Sequence, residues 1–451
     1  MENNRLDLTT GKPIQRILQF STPLIFGTLF QQLYSFVDSI IVGHFISANA
    51  LGSVGATYSL NCLIIGFMQS FCVGLGIPIS QSVGANHHHD VQRFFWNGLY
   101  LSIAISIFFC VLMTYYTEPL LIAMRTPQPL LHDAVIFIRP QFIFIWITVL
   151  YNFSASVLRS LGDSRTPFYT LVLASLLNIV IDIVLIGVFH WGVIGAAVAT
   201  IIAQAVSALM NIIWLVKAST IIDFRHPQLK FSARHTYRLA YIAFPMGIEY
   251  SISAIGAIIM QFAINSLGTA YVVSQTAGEK IRQMFTLPIE SVGMGMSTFI
   301  GQNFGAHSMA RIRQGIKDGM KIQIIYYGIC LIIIMLFADP LSELVIGHHP
   351  ELIRLSSLYL RLMSLTLFLH GTLMIYRYTL QGLGFSFLAI WSGIGELIGR
   401  SIVSLVAIIL NSFIAVCFIN PVAWGLAGGY CCWMVYRQLK KIAGSFTREV
   451  N

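Results

Sequence analysis

The chain has 451 residues, 56% of them apolar and only 10% charged, with a formal net charge of +9. A soluble chain would carry roughly 25% charged residues, so the composition excludes an ordinary soluble domain and makes the bilayer the main solvent. The positive balance calls for no nucleic-acid partner, because basic residues collected in inner loops of a membrane protein account for it.

Twelve segments are long and apolar enough to cross a bilayer as helices of about 20 residues or more. In chain order they are 14–42, 52–81, 93–117, 134–158, 166–189, 192–217, 238–267, 272–303, 315–337, 352–381, 386–410 and 423–440. Their apolar runs are continuous, whereas barrel strands alternate over ~10 residues. The start, "MENNRLDLTTGKPIQR", carries acids and leads into a full-length span containing Pro23. It lacks the basic start and small-residue cleavage site of a signal peptide, so the first span is expected to stay. The seven cysteines lie in or beside apolar segments without metal-like spacing and read as small hydrophobes.

With the N-terminus inside, 19 of the 27 Lys and Arg fall on the inner side, Arg225 among them. Arg125, Arg139, Arg354 and Arg361 fall outside. Both termini are therefore expected in the cytoplasm, with the protein multi-pass in the plasma membrane.

The chain repeats itself at an offset near 222: "FSTP" (20–23) meets "IAFP" (242–245), "QSVGA" (81–85) meets "QNFGA" (302–306), and "LRSLGDS" (158–164) meets "LQGLGFS" (380–386). "WGVIGAA" (191–197) meets "WGLAGGY" (424–430) at 233, which predicts a longer connection before Trp424. The Gly-Ala and Leu-Gly pairs also read as C-terminal helix turns. Six spans per half make the repeats parallel, related by a pseudo-two-fold axis along the membrane normal. The expected fold is an all-α polytopic membrane protein of twelve transmembrane helices in two six-helix lobes. Residues 1–216 form one lobe, 217–237 a basic cytoplasmic linker and 238–451 the other, with the substrate path between halves.

An Asp at a helix centre costs ~2.5–3.5 kcal/mol on insertion scales, so it calls for an interior position and a function. Asn178 and Asp182 are i,i+4 on the fifth span and share a face. Gln31, Tyr34 and Asp38 are i, i+3, i+7 on the first span and share another. Thr200 follows the close-packing "GAAVA" of the sixth span. Two carboxylates, an amide oxygen and a hydroxyl suit a hard cation such as Na+ or a shared proton. At the repeat offset Asp182 meets Ser404, Asn178 meets Arg400 and Asp38 meets Met260, so the fold did not copy these acids. Pro23 removes a backbone bond and makes a hinge in the first span.

The stretches "FSTPLIFGTLFQQLYSFVDSIIVGHF", "GLGIPISQSVGA", "LRSLGDSRTP", "LLNIVIDIVLIG", "WGVIGAAVATIIAQ" and "GQNFGA" together resemble the multidrug and toxic compound extrusion family, in its bacterial drug-exporter branch, over essentially the whole length. The resemblance implies a cation-coupled antiporter with a cation site on Asp38, Asn178, Asp182 and Thr200. Other branches use acids of the seventh and tenth spans; here Glu249 stands on the seventh, while the tenth carries Arg377 and has no acid beyond Glu351 at its edge.

The second half holds further charges expected to be buried: Lys280, Arg282 and Glu290 in the eighth span, Arg377 in the tenth, Glu396 and Arg400 in the eleventh. Glu396 and Arg400 are i,i+4 in the favourable order and are expected to neutralise each other. Glu249 and Glu290, with Gln31 and Tyr34, are candidates for the substrate cavity. "HHHD" (87–90) reads as a solvated inner loop. No nucleotide motif and no nucleophile or metal set supports ATP use or an enzyme, so the energy source expected is a gradient of H+ or Na+, with no cofactor. The leading expectation is export of amphipathic organic cations, drugs among them, by a monomer in the lipid bilayer. A flippase for a lipid-linked or amphipathic metabolite is the alternative; it usually presents a strongly cationic cavity, and here acids accompany the bases.

Overall fold

The computed structural model describes residues 5–124, 126–218, 221–224 and 230–449. The basic positions Arg125 and Arg225, and residues 219–220 and 225–229 of the expected linker, lie outside the described residues. Among the described residues there is no β-strand.

The first half contains α1 (Pro13–Phe45), α2 (Ala48–Gly84), α3 (His88–Ala123), α4 (Gln128–Ile143), α5 (Ile145–Ser160), α6 (Arg165–Asp182) and α7 (Val193–Ala218). The second contains α8 (Ala233–Asn265), α9 (Thr269–Gly305), α10 (Met309–Ile346), α11 (Pro350–Ser364), α12 (Leu367–Gly382), α13 (Ser386–Ile409), α14 (Phe413–Cys417) and α15 (Ile419–Glu449). Nine spans among the described residues are long and apolar enough to cross a membrane, and two bent helix pairs raise the number to 11. The remaining long helix, α9, carries Glu279, Lys280, Arg282 and Glu290 among many Gly, Ser and Thr, which dilute its hydropathy. Twelve spans result, in agreement with the sequence.

The helices bend where the sequence reads unbroken spans. α4 and α5 meet at 54°, and α11 and α12 at 49°. The first breaks at Phe144, one turn after Pro140, where the Ile147 N–H turns back to Phe144 O at 2.9 Å. The second contains no proline. There Ser364 and Thr366 donate back to the carbonyls of Arg361 and Met363, and the Tyr327 hydroxyl donates to the freed carbonyl of Leu365 at 3.2 Å. The fifth predicted span likewise changes character. α6 ends at Asp182, and Ile183–Val188 continues as a π-helix. The twelfth is preceded by helix, not loop: the residues inserted before Trp424 form α14 and the first turn of α15.

The repeated Gly-Ala and Leu-Gly pairs do end helices. After α2, α5, α9 and α12 the backbone turns left-handed at Asn86 (φ 57°), Gly162 (φ 91°), His307 (φ 52°) and Gly384 (φ 88°). Each turn closes its last helical carbonyls with the same two-bond pattern, for example Asn86 N–H to Val83 O and His87 N–H to Ser82 O, both 3.0 Å. The turn before α6 is also capped by Asp163, which accepts from the amides of Arg165 and Thr166 at 3.0 and 2.9 Å. His190 (φ 55°) and Asn411 (φ 46°) form a further repeat pair.

The chain forms two compact units. Unit 1 comprises the chain up to Asp7 and Phe26–Gly247; unit 2 comprises Leu8–Ile25 and Ile248–Asn451. Besides the one at Asp7, the divisions fall inside α1 and α8, each two residues beyond a proline (Pro23, Pro245), at positions 222 apart. In unit 1, Phe67, Phe71, Phe109 and Phe244 form an aromatic cluster. There α2 also approaches α5 closely, because Gly76 has no Cβ and its carbonyl accepts from Ser160 Oγ at 2.8 Å. In unit 2, α12 packs on α9 and α15, and α13 on α15. The outer face of α10 leaves Ile325, Ile329, Ile332 and Leu336 exposed, as a lipid-facing helix requires.

Candidate functional site

The acids of the first half meet within unit 1. Asp182 ends the regular part of α6, where the change to π-helix begins, and is 0% exposed; Asn178, one turn earlier, is 1% exposed. The Asp38 carboxyl, delivered by α1, lies within electrostatic reach of that of Asp182. Tyr34, one turn before Asp38, lies within electrostatic reach of both acids and of Tyr151 on α5. The shared-face spacings on two helices thus converge on one cluster.

Its polar atoms are poorly satisfied by the protein. Both oxygens of Asp182, Oδ1 of Asp38 and both amide atoms of Asn178 are buried with no hydrogen-bond partner. Such groups are costly in a low-dielectric interior. Two carboxylates within electrostatic reach there cannot both keep an uncompensated charge, so the arrangement can share a proton or accept a small cation. Thr200, on α7, donates from Oγ1 to Ala196 O of its own helix at 3.0 Å, which leaves its oxygen lone pairs free to accept. Gln31 is exposed on α1 and Tyr34 half-buried. α1 continues through Pro23 without interruption.

The charges of unit 2 are treated in the opposite way. Glu249 on α8 is buried and paired with Arg377 of α12, with Nη1 2.9 Å from Oε1. Arg377 Nη2 also contacts Glu396 of α13, which in turn holds Arg400 at 3.1 Å. The expected Glu396–Arg400 pair therefore exists, inside a longer chain of alternating charge. Glu290 is half-exposed and lies 3.4 Å from His370 Nε2. Two of the charges expected to be buried are thus not: Glu290, and Lys280, which is exposed. Lys280 differs from its buried neighbour Arg282 because residues two apart on a helix do not share a face, whereas Arg282 and Glu279, three apart, do. Arg282 instead pairs with Glu279 at 2.5 Å and lies 5.4 Å over the ring of Trp424.

Sequence reasoning missed Glu279, Tyr359 and His370. Glu279 accepts from the Tyr359 hydroxyl at 2.6 Å, and His370 packs on Trp424 with ring centroids 4.7 Å apart. The i,i+3 spacing of Glu279 and Arg282 was legible; the contacts of Tyr359 and His370 cross between helices and leave no local pattern. "HHHD" is exposed as expected, although His88–Asp90 form the first turn of α3 rather than a loop. All seven cysteines are free.

The family model described as MatE matches residues 23–184 and 245–419, one match in each half. The chain belongs to the MatE family. Both matches begin at a proline, Pro23 and Pro245, so the internal repeat coincides with the family unit. As a MatE protein the chain is a multi-pass membrane transporter and not an enzyme. Among its relatives, the probable multidrug resistance protein YpnP of Bacillus subtilis is 25% identical over 355 residues, covering 79% of each chain. The FAD transporter of Shewanella oneidensis is 23% identical over 360 residues, covering 77% of this chain and 78% of its own. A crystal structure of MATE in the bent conformation shares the fold at a TM-score of 0.90 and 21% identity, over 97% of this chain and 98% of that one.

Proposed function

We propose that this MatE protein is a secondary antiporter that exports amphipathic, cationic drugs or other toxic organic compounds in exchange for protons or sodium ions. The observation that carries the reading is the buried Asp38–Asp182 pair with its unpartnered oxygens. The name of the B. subtilis relative, a probable multidrug resistance protein, supports the substrate class. In this reading Asp38, Asn178, Asp182 and Thr200 hold the coupling ion, while Gln31, Tyr34 and Glu290 contact substrate; Glu249, also a candidate for the cavity, has its charge taken by Arg377. The lobes are 1–216 and 238–451, joined by the cytoplasmic linker 217–237, in a monomer of the plasma membrane with both termini inside.

A proton or sodium ion reaching the acid pair neutralises it, and α1 shifts about Pro23 so that the first-lobe cavity narrows and releases the drug. The ion drives this step only because it binds one conformation better than the other. Drug and ion consequently compete. The test is dye efflux from vesicles containing the purified protein, with an imposed proton or sodium gradient and a flavin nucleotide among the substrates, since one relative is named an FAD transporter. Gradient-dependent extrusion of cationic dyes is expected; transport that persists without any gradient would remove the antiport reading.

A further inference from the structure

Unit 2 gathers two buried acids around two arginines. Glu249, Arg377, Glu396 and Arg400 form a continuous buried chain in which none is more than 9% exposed. Each edge of the Arg377 guanidinium has a partner. Nε donates to Ser392 Oγ at 3.1 Å, Nη1 lies 2.9 Å from Glu249, and Nη2 contacts Glu396. Behind Glu249, Gln381 Nε2 donates to Oε2 at 2.8 Å, and its own Oε1 is buried with no partner. Gly393 makes room for the acid: a Cβ there would stand 3.1 Å from Glu249 Cγ.

The fold does not require this arrangement. At the repeat offset, Glu249, Arg377 and Glu396 correspond to Gly27, Ala155 and Ala174, so unit 1 builds the same helices without them. Arg400 corresponds to Asn178, a member of the unpartnered cluster of unit 1. One half leaves its acids unsatisfied; the other saturates them with guanidinium groups.

We propose that Arg377 is a resident counter-cation, its guanidinium filling a cation site formed by Glu249, Glu396, Ser392 and Gln381. The ligand class of the site is a planar guanidinium, whose forked donors match two carboxylates and a hydroxyl in a way that a spherical ion cannot. Glu249 and Glu396 are committed to the chain's own charge and hold no exchangeable ion.

Removing the side chain should open the site to the free ion. Arg377→Ala leaves Glu249, Glu396 and Arg400 with one surplus negative charge around a guanidinium-sized cavity. The purified variant is titrated in detergent with guanidinium, sodium and choline chlorides at about 1–30 mM and constant ionic strength, and its thermal midpoint followed. The midpoint should rise by on the order of 1–3 °C for each tenfold excess of guanidinium over its dissociation constant. Sodium and choline should give no comparable rise, and the wild type no rise with any of the three. No guanidinium response, equal responses to all three salts, or the same response in the wild type would overturn the proposal. If Arg377→Ala does not fold, the charge-balanced double variant Arg377→Ala, Glu249→Gln decides the matter. It should fold and show no preference for guanidinium; failure of both variants to fold would mean that lost packing, not lost charge, is the defect, and would also overturn the proposal. The assay uses neither drug nor gradient, so its outcome is independent of the transport reading.

Discussion

Two buried acids of one protein behave differently because their surroundings differ. Asp182 is buried with both oxygens unpartnered, whereas Glu396 is buried between two arginines. Asp182→Asn keeps the shape and removes the charge, so the protein should remain folded. Allosteric couplings of 1–3 kcal/mol correspond to roughly 5–150-fold changes in affinity, and a change of this order is expected in wild-type drug affinity as sodium or proton concentration is raised. In Asp182→Asn affinity should be weak throughout and vary less than about twofold, because the variant resembles the neutralised state. Drug binding measured by fluorescence in detergent checks this; an unchanged ion dependence would sink the coupling site. The sign is fixed: lower pH favours the ion-loaded pair and therefore weakens the drug. Glu396→Gln leaves Arg377 and Arg400 short of a countercharge. It should cost about 3–5 kcal/mol of stability, as removal of one member of a buried pair does. Its thermal midpoint should drop well below that of wild type, while ion dependence of drug binding persists in the folded fraction.

At the scale of elements, the turns after the helices carry the repeat more faithfully than the helices do. Gly162 and Gly384 both adopt left-handed backbone, but Gly162 has an added constraint. The Leu6 amide donates to Gly162 O at 3.0 Å, and a Cβ on Gly162 would stand 2.4 Å from Leu6 O. Gly162→Ala therefore meets both a left-handed penalty of roughly 1 kcal/mol and a backbone clash that the N-terminal segment must relieve by moving. A lower thermal midpoint is expected, together with faster proteolysis near Leu6. A variant as stable as wild type with that segment equally protected would show that the contact is dispensable. The π-helical Ile183–Val188 begins where Asp182 ends α6, and such turns recur beside functional residues.

For the whole molecule, the distribution of Lys and Arg predicts which side of the membrane each turn faces. His88 and Arg165, both exposed at the N-terminal turns of α3 and α6, belong to the inner set. Cysteines introduced as His88→Cys or Arg165→Cys should react with a membrane-impermeant thiol reagent only after the inner face is opened. Labelling of either in sealed cells would reverse the orientation. Arg354→Cys on α11 is the complementary position and should react from outside.

Much of the architecture was legible in the chain itself. Long apolar runs determine helices that must satisfy their own backbone in lipid, and a repeated set of short motifs at one offset determines that the halves share a fold. The residues that share a face with each acid were also legible, Asn178 with Asp182 and Tyr34 with Asp38, because residues four apart on a helix lie on one side whatever surrounds it. Only the tertiary structure decided the bend at Leu365, the helical insertion before Trp424, the exposure of Lys280 and the pairing of Glu249 with Arg377. A bend without proline depends on a hydroxyl from another helix, and an ion pair 128 residues apart in the chain depends on which helices touch. Periodicity reports the face a residue occupies on its own helix; what lies across from that face is set by packing.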